Sequence, residues 1–112
     1  MEHRMNCAVF EHKRGDSFDL AGQLLEETGG PPVDLTGASI RAHLRDGDAL
    51  VAVLDTAITD APQGKYRLSK PYADTESWPV KGLSLDIEFT FPGGTRRSTQ
   101  TVLVRVLKDV TL

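Results

Sequence analysis

Leu83, Leu85, Ile87, Phe89 and Phe91 occupy alternate positions, and Ser84, Asp86, Glu88 and Thr90 fill the places between them. Strict period two lays one apolar ridge against a core and leaves both carboxylates in water, which predicts a strand over residues 83–91. Its register is well determined, because a slip of one residue would bury Asp86 and Glu88. After Pro92-Gly93-Gly94-Thr95, a turn by composition, Val102, Val104 and Val106 repeat the alternation. The expectation is one long strand over residues 96–107, forming a hairpin with the first. Ile40, Ala42 and Leu44 alternate with Arg41, His43 and Arg45, and Phe18, Leu20 and Leu24 share one parity with Gly22 between them. Leu50, Ala52 and Leu54 continue the scheme, but Val51 and Val53 stand on the other parity. That strand is either covered on both sides or turns its outer face to a partner. Shorter strands are expected over residues 6–12 and 65–69, the latter with Tyr66 and Leu68 inward.

Between these strands lie Lys13-Arg14-Gly15-Asp16, Thr28-Gly29-Gly30-Pro31-Pro32, Asp46-Gly47-Asp48 and Asp60-Ala61-Pro62-Gln63-Gly64. Such clusters supply positive φ, fixed φ and local side-chain hydrogen bonds, the chemistry of turns. Residues 20–28 contain good helix formers, yet the run starts in a strand pattern and meets Gly29-Gly30 too soon for a helix to stand alone, so extended chain is expected. One helical turn is predicted over residues 71–76, begun by Pro71 and stopped before Pro79. Trp78 is then free to plug an open end of the fold, its rival role being an exposed interface anchor. About seven short strands so separated fit an all-β, two-sheet, immunoglobulin-like β-sandwich with at most one short helical turn.

With 112 residues and a hydrophobic share of 39%, the chain has room for one core and is expected to be a single domain over residues 1–112. A large active-site cavity would compete with that core for the same side chains. The net charge of -3 is spread along the chain without a basic stripe, which argues against nucleic acid as a partner. Arg96 and Arg97, beside a turn, read as a solvated hairpin end. Cys7 is alone, so no internal disulfide forms and a reducing compartment is expected. The start, Met1-Glu2-His3-Arg4 followed by a few apolar residues, is too short and too charged for a signal peptide or membrane span, so no membrane role is expected.

No constellation of chemical groups emerges. His3, His12 and His43 lack ligand-pair spacing and read as surface histidines. Asp46-Gly47-Asp48 lacks the remaining ligands of a calcium loop and is better read as a hairpin turn. Asp86 and Glu88 lie about 7 Å apart on one strand face, but nothing in the pattern would hold a proton there. Cys7 has no oxyanion-hole context, and no serine sits in a Gly-x-Ser-x-Gly elbow. The sequence therefore predicts no catalytic, metal or cofactor-binding residue, no cofactor and no enzyme.

Four strings in order carry a resemblance: Lys13-Arg14-Gly15-Asp16-Ser17-Phe18, Pro31-Pro32-Val33-Asp34-Leu35-Thr36-Gly37-Ala38, Gly64-Lys65-Tyr66-Arg67-Leu68-Ser69 and Leu85-Asp86-Ile87-Glu88-Phe89. Together they resemble a family of small proteins encoded in tailed-phage and prophage structural gene regions. Their order, over about residues 14–111, is similar to the amino-terminal immunoglobulin-like domain of phage baseplate upper proteins. The resemblance implies a tail, baseplate or connector component, made in the host cytoplasm and carried into the virion, that packs against copies of itself and neighbouring virion proteins. Baseplate upper proteins continue into segments that hold receptor-binding parts, whereas this sequence stops at Leu112, so an assembly role is expected rather than direct receptor contact. The residues point the same way: Val51, Val53, Leu103, Leu107 and Trp78 are the interface candidates. The competing expectation is a carbohydrate- or receptor-binding module, for which only Tyr72 and Trp78 could supply exposed rings.

Overall fold

The computed structural model describes residues 9–99 and 101–108. Nine strands are found among them: β1 (Val9–Lys13), β2 (Phe18–Gln23), β3 (Ser39–Asp46), β4 (Ala49–Val53), β5 (Asp55–Asp60), β6 (Lys65–Lys70), β7 (Gly82–Thr90), β8 (Arg96–Ser98) and β9 (Val102–Leu107). A three-residue 3-10 turn, Ala61–Gln63, precedes β6, and one helical turn, α1 (Tyr72–Thr75), follows it. The larger sheet runs β1-β9-β7-β3-β4, with β8 also paired to β7, and the smaller runs β2-β6-β5. Every pairing is antiparallel except the parallel one of β1 with β9. The result is a two-sheet immunoglobulin-like sandwich, with β9, β7, β3 and β4 against β2, β6 and β5.

Strand β7 is the centre of the larger sheet, paired with β3 from Ser84↔Arg45 to Thr90↔Ser39 and with β9 from Gly82 to Leu85. Its alternation does what the pattern requires: Leu83, Leu85, Ile87 and Phe89 are buried, while Asp86 is exposed and Glu88 half-exposed on the wet face. Ala42 and Leu44 from β3, Val104 and Val106 from β9, and Phe18 and Leu68 from the smaller sheet complete the dry layer. Each fully buried side chain of the Leu or Phe class contributes about 1.5–3 kcal/mol, so this layer is the dominant stabilising term.

The strand count exceeds the seven expected for two reasons. Residues 55–60 were not expected as a strand; here the extended chain of β4 changes sheets at the buried Leu54 and continues as β5 on the edge of the smaller sheet. The single strand expected over residues 96–107 is divided. Phe89 pairs with Arg97 but Leu85 with Val102, so five steps on one side oppose four on the other. The extra residue is a bulge, and it reverses the parity of the side chains. Val102, Val104 and Val106 face the core as expected, and Arg97 also turns inward. A second bulge, between Leu44 and Arg45 opposite β4, has a like effect. Val51 and Ala52 pack on the core, whereas Leu50, expected inward, is exposed.

The two ends of the sandwich are closed differently. At one, residues 24–35 fold back on the 3-10 turn: Leu24 N–H donates to Gly64 O (2.8 Å), Val33 N–H to Leu24 O (2.9 Å) and Leu35 N–H to Ala61 O (2.8 Å). Val33 and Leu35 are buried. Asp34 Oδ1 accepts from the Thr36 N–H (3.0 Å) and Oγ1–H (2.7 Å), and these bonds hold its carboxyl below the ordinary carboxylate value of 3.8. At the other end the buried Thr75 hydroxyl donates to Asp16 O (2.8 Å) and accepts from Gly15 N–H (3.0 Å), fastening α1 to the β1–β2 turn. This sets Trp78 over Phe18 and His12, with ring centroids 5.6 and 5.4 Å away, and leaves it 2% exposed. Trp78 is the plug. It presents no outer surface, which removes the interface-anchor alternative for this residue.

His12 departs from expectation. Read as a surface histidine, it is 6% exposed, because it shares the core-facing parity of β1 with Phe10 and sits beside Val106. His3, Cys7 and the first residues of the strand expected over 6–12 lie outside the described residues.

Candidate functional site

The wet face of the larger sheet is a mosaic of opposite charges. Arg41 stands across from Glu88 on the adjacent strand, a pairing of signs that stabilises a sheet modestly, and His43 stands across from Asp86. Arg45 donates to His43 Nδ1 (3.2 Å), and Thr101 Oγ1 donates to Asp86 Oδ1 (3.2 Å). On the smaller sheet Arg67 forms a forked pair with Asp19, one arm at 2.7 Å, and this hydrogen bond, opposed by desolvation and aided by the guanidinium charge, lowers the Asp19 pKa. Asp86 and Asp19 are thus committed to a hydroxyl and a cation. Among the described residues no group of three or more His, Cys, Asp or Glu side chains converges to hold a metal.

A cleft of about 510 Å³ opens between residues 24–29 and the β8–β9 bulge, with Tyr66 and Ile87 at its floor. Arg97 spans it. The guanidinium donates to Leu25 O (3.1 Å) and Glu26 O (2.9 Å) and pairs with Glu26 Oε1 (3.5 Å). The expected solvated hairpin end is thus a half-buried strut between the two sheets, a consequence of the bulge that composition alone does not reveal. Its donors go to two backbone carbonyls and the Glu26 carboxylate, and no nucleophile-base pair is found among the described residues that line the cleft. Burial raises the Tyr66 hydroxyl above its usual value, away from any role as a base near neutral pH.

His12 is the described titratable group with an unmet need. Its ring is held edge-on by Phe18 (5.3 Å) and tilted against Trp78, and Nε2 has no protein hydrogen-bond partner. Desolvation lowers its pKa below 6.5, opposed by the charge and backbone hydrogen bond of Asp16. The unfolded chain therefore takes up a proton first as pH falls, so the histidine's contribution is complete above 6.5 and is lost as pH drops from there through the folded-state value. Asp19 and Asp34 act below 3.8, so the window just below 6.5 is separate from theirs. The melting temperature should fall by a few degrees across that window, and His12→Leu should flatten the slope. An unchanged slope in the variant would assign it elsewhere.

The interface candidates do not form one site. Val53 is 48% exposed at the open edge of the larger sheet, Val51 beside it is half-buried on the core side, and Leu50, not singled out from the sequence, is 51% exposed. Leu103 and Leu107 lie on the outer face of β9, each half-buried, next to Val9 and Lys13 of β1. Strands β7 and β3, with their charged mosaic, separate the two groups by three strand spacings, about 14 Å. Trp78 is inside. The surface feature missed from the sequence is thus Leu50, and the missing signal is the β3–β4 bulge.

The two facing sheets define a protein of the immunoglobulin-like β-sandwich class. No protein-family model and no curated protein matches the chain. Among solved structures it is similar to one described as the N-terminal domain of phage TP901-1 ORF48, with a TM-score of 0.69 and 20% identity, over 96% of this chain and 91% of that one. At this identity the likeness is one of fold.

Proposed function

We propose that the chain is a structural protein of a tailed phage or prophage virion, a tail, baseplate or connector component that works by packing against copies of itself and neighbouring virion proteins. The observation that carries this reading is the end-to-end likeness to a phage protein domain, 96% of one chain against 91% of the other. The ordered motifs over residues 14–111 support it. So does the chemistry: Arg97 braces residues 25 and 26, Arg67 pairs with Asp19 across strands and the Thr75 hydroxyl pins α1, all of them architectural roles. No helix among the described residues is long and apolar enough to cross a membrane. On this reading the chain is made in the host cytoplasm and enters the virion without a cofactor, nucleic acid or membrane as partner. A carbohydrate-binding role would need exposed rings to stack on sugars; Trp78 is buried, leaving only Tyr72, at 58% exposure, of the two aromatics nominated for it.

Purified particles from an induced host, resolved by mass spectrometry, test the proposal. The chain should be present in stoichiometric amounts, and deletion of its gene should yield particles with incomplete tails. Complete, infective particles that lack the chain would overturn it.

A further inference from the structure

The wet face of the larger sheet is ordered in columns. From the open edge inward, β4 presents Leu50 and Val53, β3 presents Arg45, His43 and Arg41, β7 presents Ser84, Asp86 and Glu88, and β9 presents Leu103. Directly opposed residues share a face, and the register sets them level. Leu50, Arg45, Ser84 and Leu103 form one row, Val53, His43 and Asp86 the next, and Arg41 with Glu88 the third. Read across the strands, the face is apolar, basic, acidic and apolar. Symmetry decides what such a face can meet. A two-fold axis along the strands, midway between β3 and β7, reverses the order of the columns and keeps every row at its height, so the face meets its own complement. An axis across the strands would instead lay β3 on the partner's β3 and set arginine against arginine.

We propose that this face is a homotypic docking surface, at which two copies stack sheet to sheet about an axis along the strands, with β3 of each over β7 of the other. The argument for a second copy is charge complementarity. Arg41 stands over the partner's Glu88 and His43 over the partner's Asp86, and the two arginines and two carboxylates of the face cancel, so stacking gathers no net charge. Leu50 stands over the partner's Leu103. The two apolar groups, which lie apart on one chain, thus meet across the axis on both flanks of the charged columns. Arg105, the next outward residue of β9, comes over the partner's turn at residues 46–48, which carries two aspartates. Stacked sheets lie about 10 Å apart with their strands within about 30° of each other, a gap that two facing side chains span. A recess of about 230 Å³ among Arg41, His43, Arg45, Asp86 and Glu88 leaves room for their tips. A two-fold contact of this kind uses the face once and closes the assembly at a dimer. The inference rests on the self-packing part of the proposed function and names its surface.

Sedimentation of the whole chain under reducing conditions, from about 1 μM to about 1 mM, should show a reversible monomer-dimer equilibrium. Arg41→Glu and Glu88→Arg each set like charges face to face and should each weaken self-association at least about tenfold. An equimolar mixture of the two variants should dimerise again, because in the mixed pair both contacts join opposite charges. Tyr72→Ser, on α1 at the end of the sandwich, should leave dimerisation unchanged. In the unaltered chain, a sample of mixed isotope labelling should give a nuclear Overhauser contact between the Leu50 and Leu103 methyls. Within one chain these lie three strand spacings apart, about 14 Å, so the contact can arise only between copies. A strict monomer throughout, a mixture that associates no better than its components, or a dimer without the Leu50 to Leu103 contact would each overturn the proposal. If a charge variant misfolds, the methyl contact in the unaltered chain still decides. A strict monomer found in stoichiometric amounts in particles sinks the stacked dimer alone, whereas absence from particles sinks the virion assignment.

Discussion

Replacing Gly64 with alanine is expected to lower stability by about 3 kcal/mol or more, the sum of a left-handed backbone cost of about 1–2 kcal/mol and the strain or loss of two hydrogen bonds at about 1 kcal/mol each. Gly64 has φ +71°, and a Cβ built there would lie 2.5 Å from Leu24 O and 2.8 Å from Val33 O. Both are main-chain atoms in the ladder that carries residues 24–35 back onto the 3-10 turn, so neither can move without opening Leu24 N–H to Gly64 O or Val33 N–H to Leu24 O. Loss of that ladder would also release Val33 and Leu35 from the core. For a domain of this size the melting temperature should drop by at least about 10 °C. Gly47 provides the comparison: its φ is +60°, but nothing lies within 4 Å of an added Cβ. Gly47→Ala should cost only the backbone term, about 1–2 kcal/mol. Chemical denaturation of both variants isolates the steric part; equal losses would mean that the two carbonyls yield freely.

The period-two ridges of β7, β3 and β9 were legible because burial on one face and water on the other leave a pattern in the residues themselves. The gap at Gly22 in the series Phe18, Leu20, Gly22, Leu24 was visible, but its filling was not: Tyr66, directly across from Gly22, lays its ring over the glycine and against Phe89, with centroids 5.2 Å apart. Cross-strand relations of this kind depend on which strands become neighbours, and one strand's sequence does not contain that. The two bulges escaped for the same reason. Each inserts a residue into a partner ladder and reverses parity, so Arg97 turned from a hairpin end into a strut, and Leu50 and Val51 exchanged places. Strand β5 escaped because an exposed edge of Asp, Thr and Ala lacks the apolar contrast that alternation needs. The β4 candidates were found from an anomaly in pattern, two valines on a nominally wet parity, and only one of the two proves to be exposed.

Trp78→Ala is expected to lower stability by about 3–5 kcal/mol, the range for emptying a fully buried aromatic site. Against a total of about 5–15 kcal/mol for a domain, this approaches the point of unfolding. The cost should lie toward the upper part of the range, because the walls cannot collapse: Phe18 and His12 stand on different strands of different sheets, and α1 is pinned by the Thr75 hydroxyl to the β1–β2 turn. Trp78→Phe retains part of the contact with Phe18 and should lose less. The truncation has a second, separable effect. Opening the plug admits water to His12 Nε2, relieves the desolvation that lowers its pKa, and returns the ring toward 6.5. The fall in stability just below pH 6.5 should therefore become shallower in Trp78→Ala even as the absolute stability drops. Circular dichroism melts at several pH values measure both, since the variant has no tryptophan left to report by fluorescence. A large loss of stability with the pH slope unchanged would show that His12 is kept dry by Phe18 and β1, and that Trp78 closes the end of the sandwich without governing the histidine.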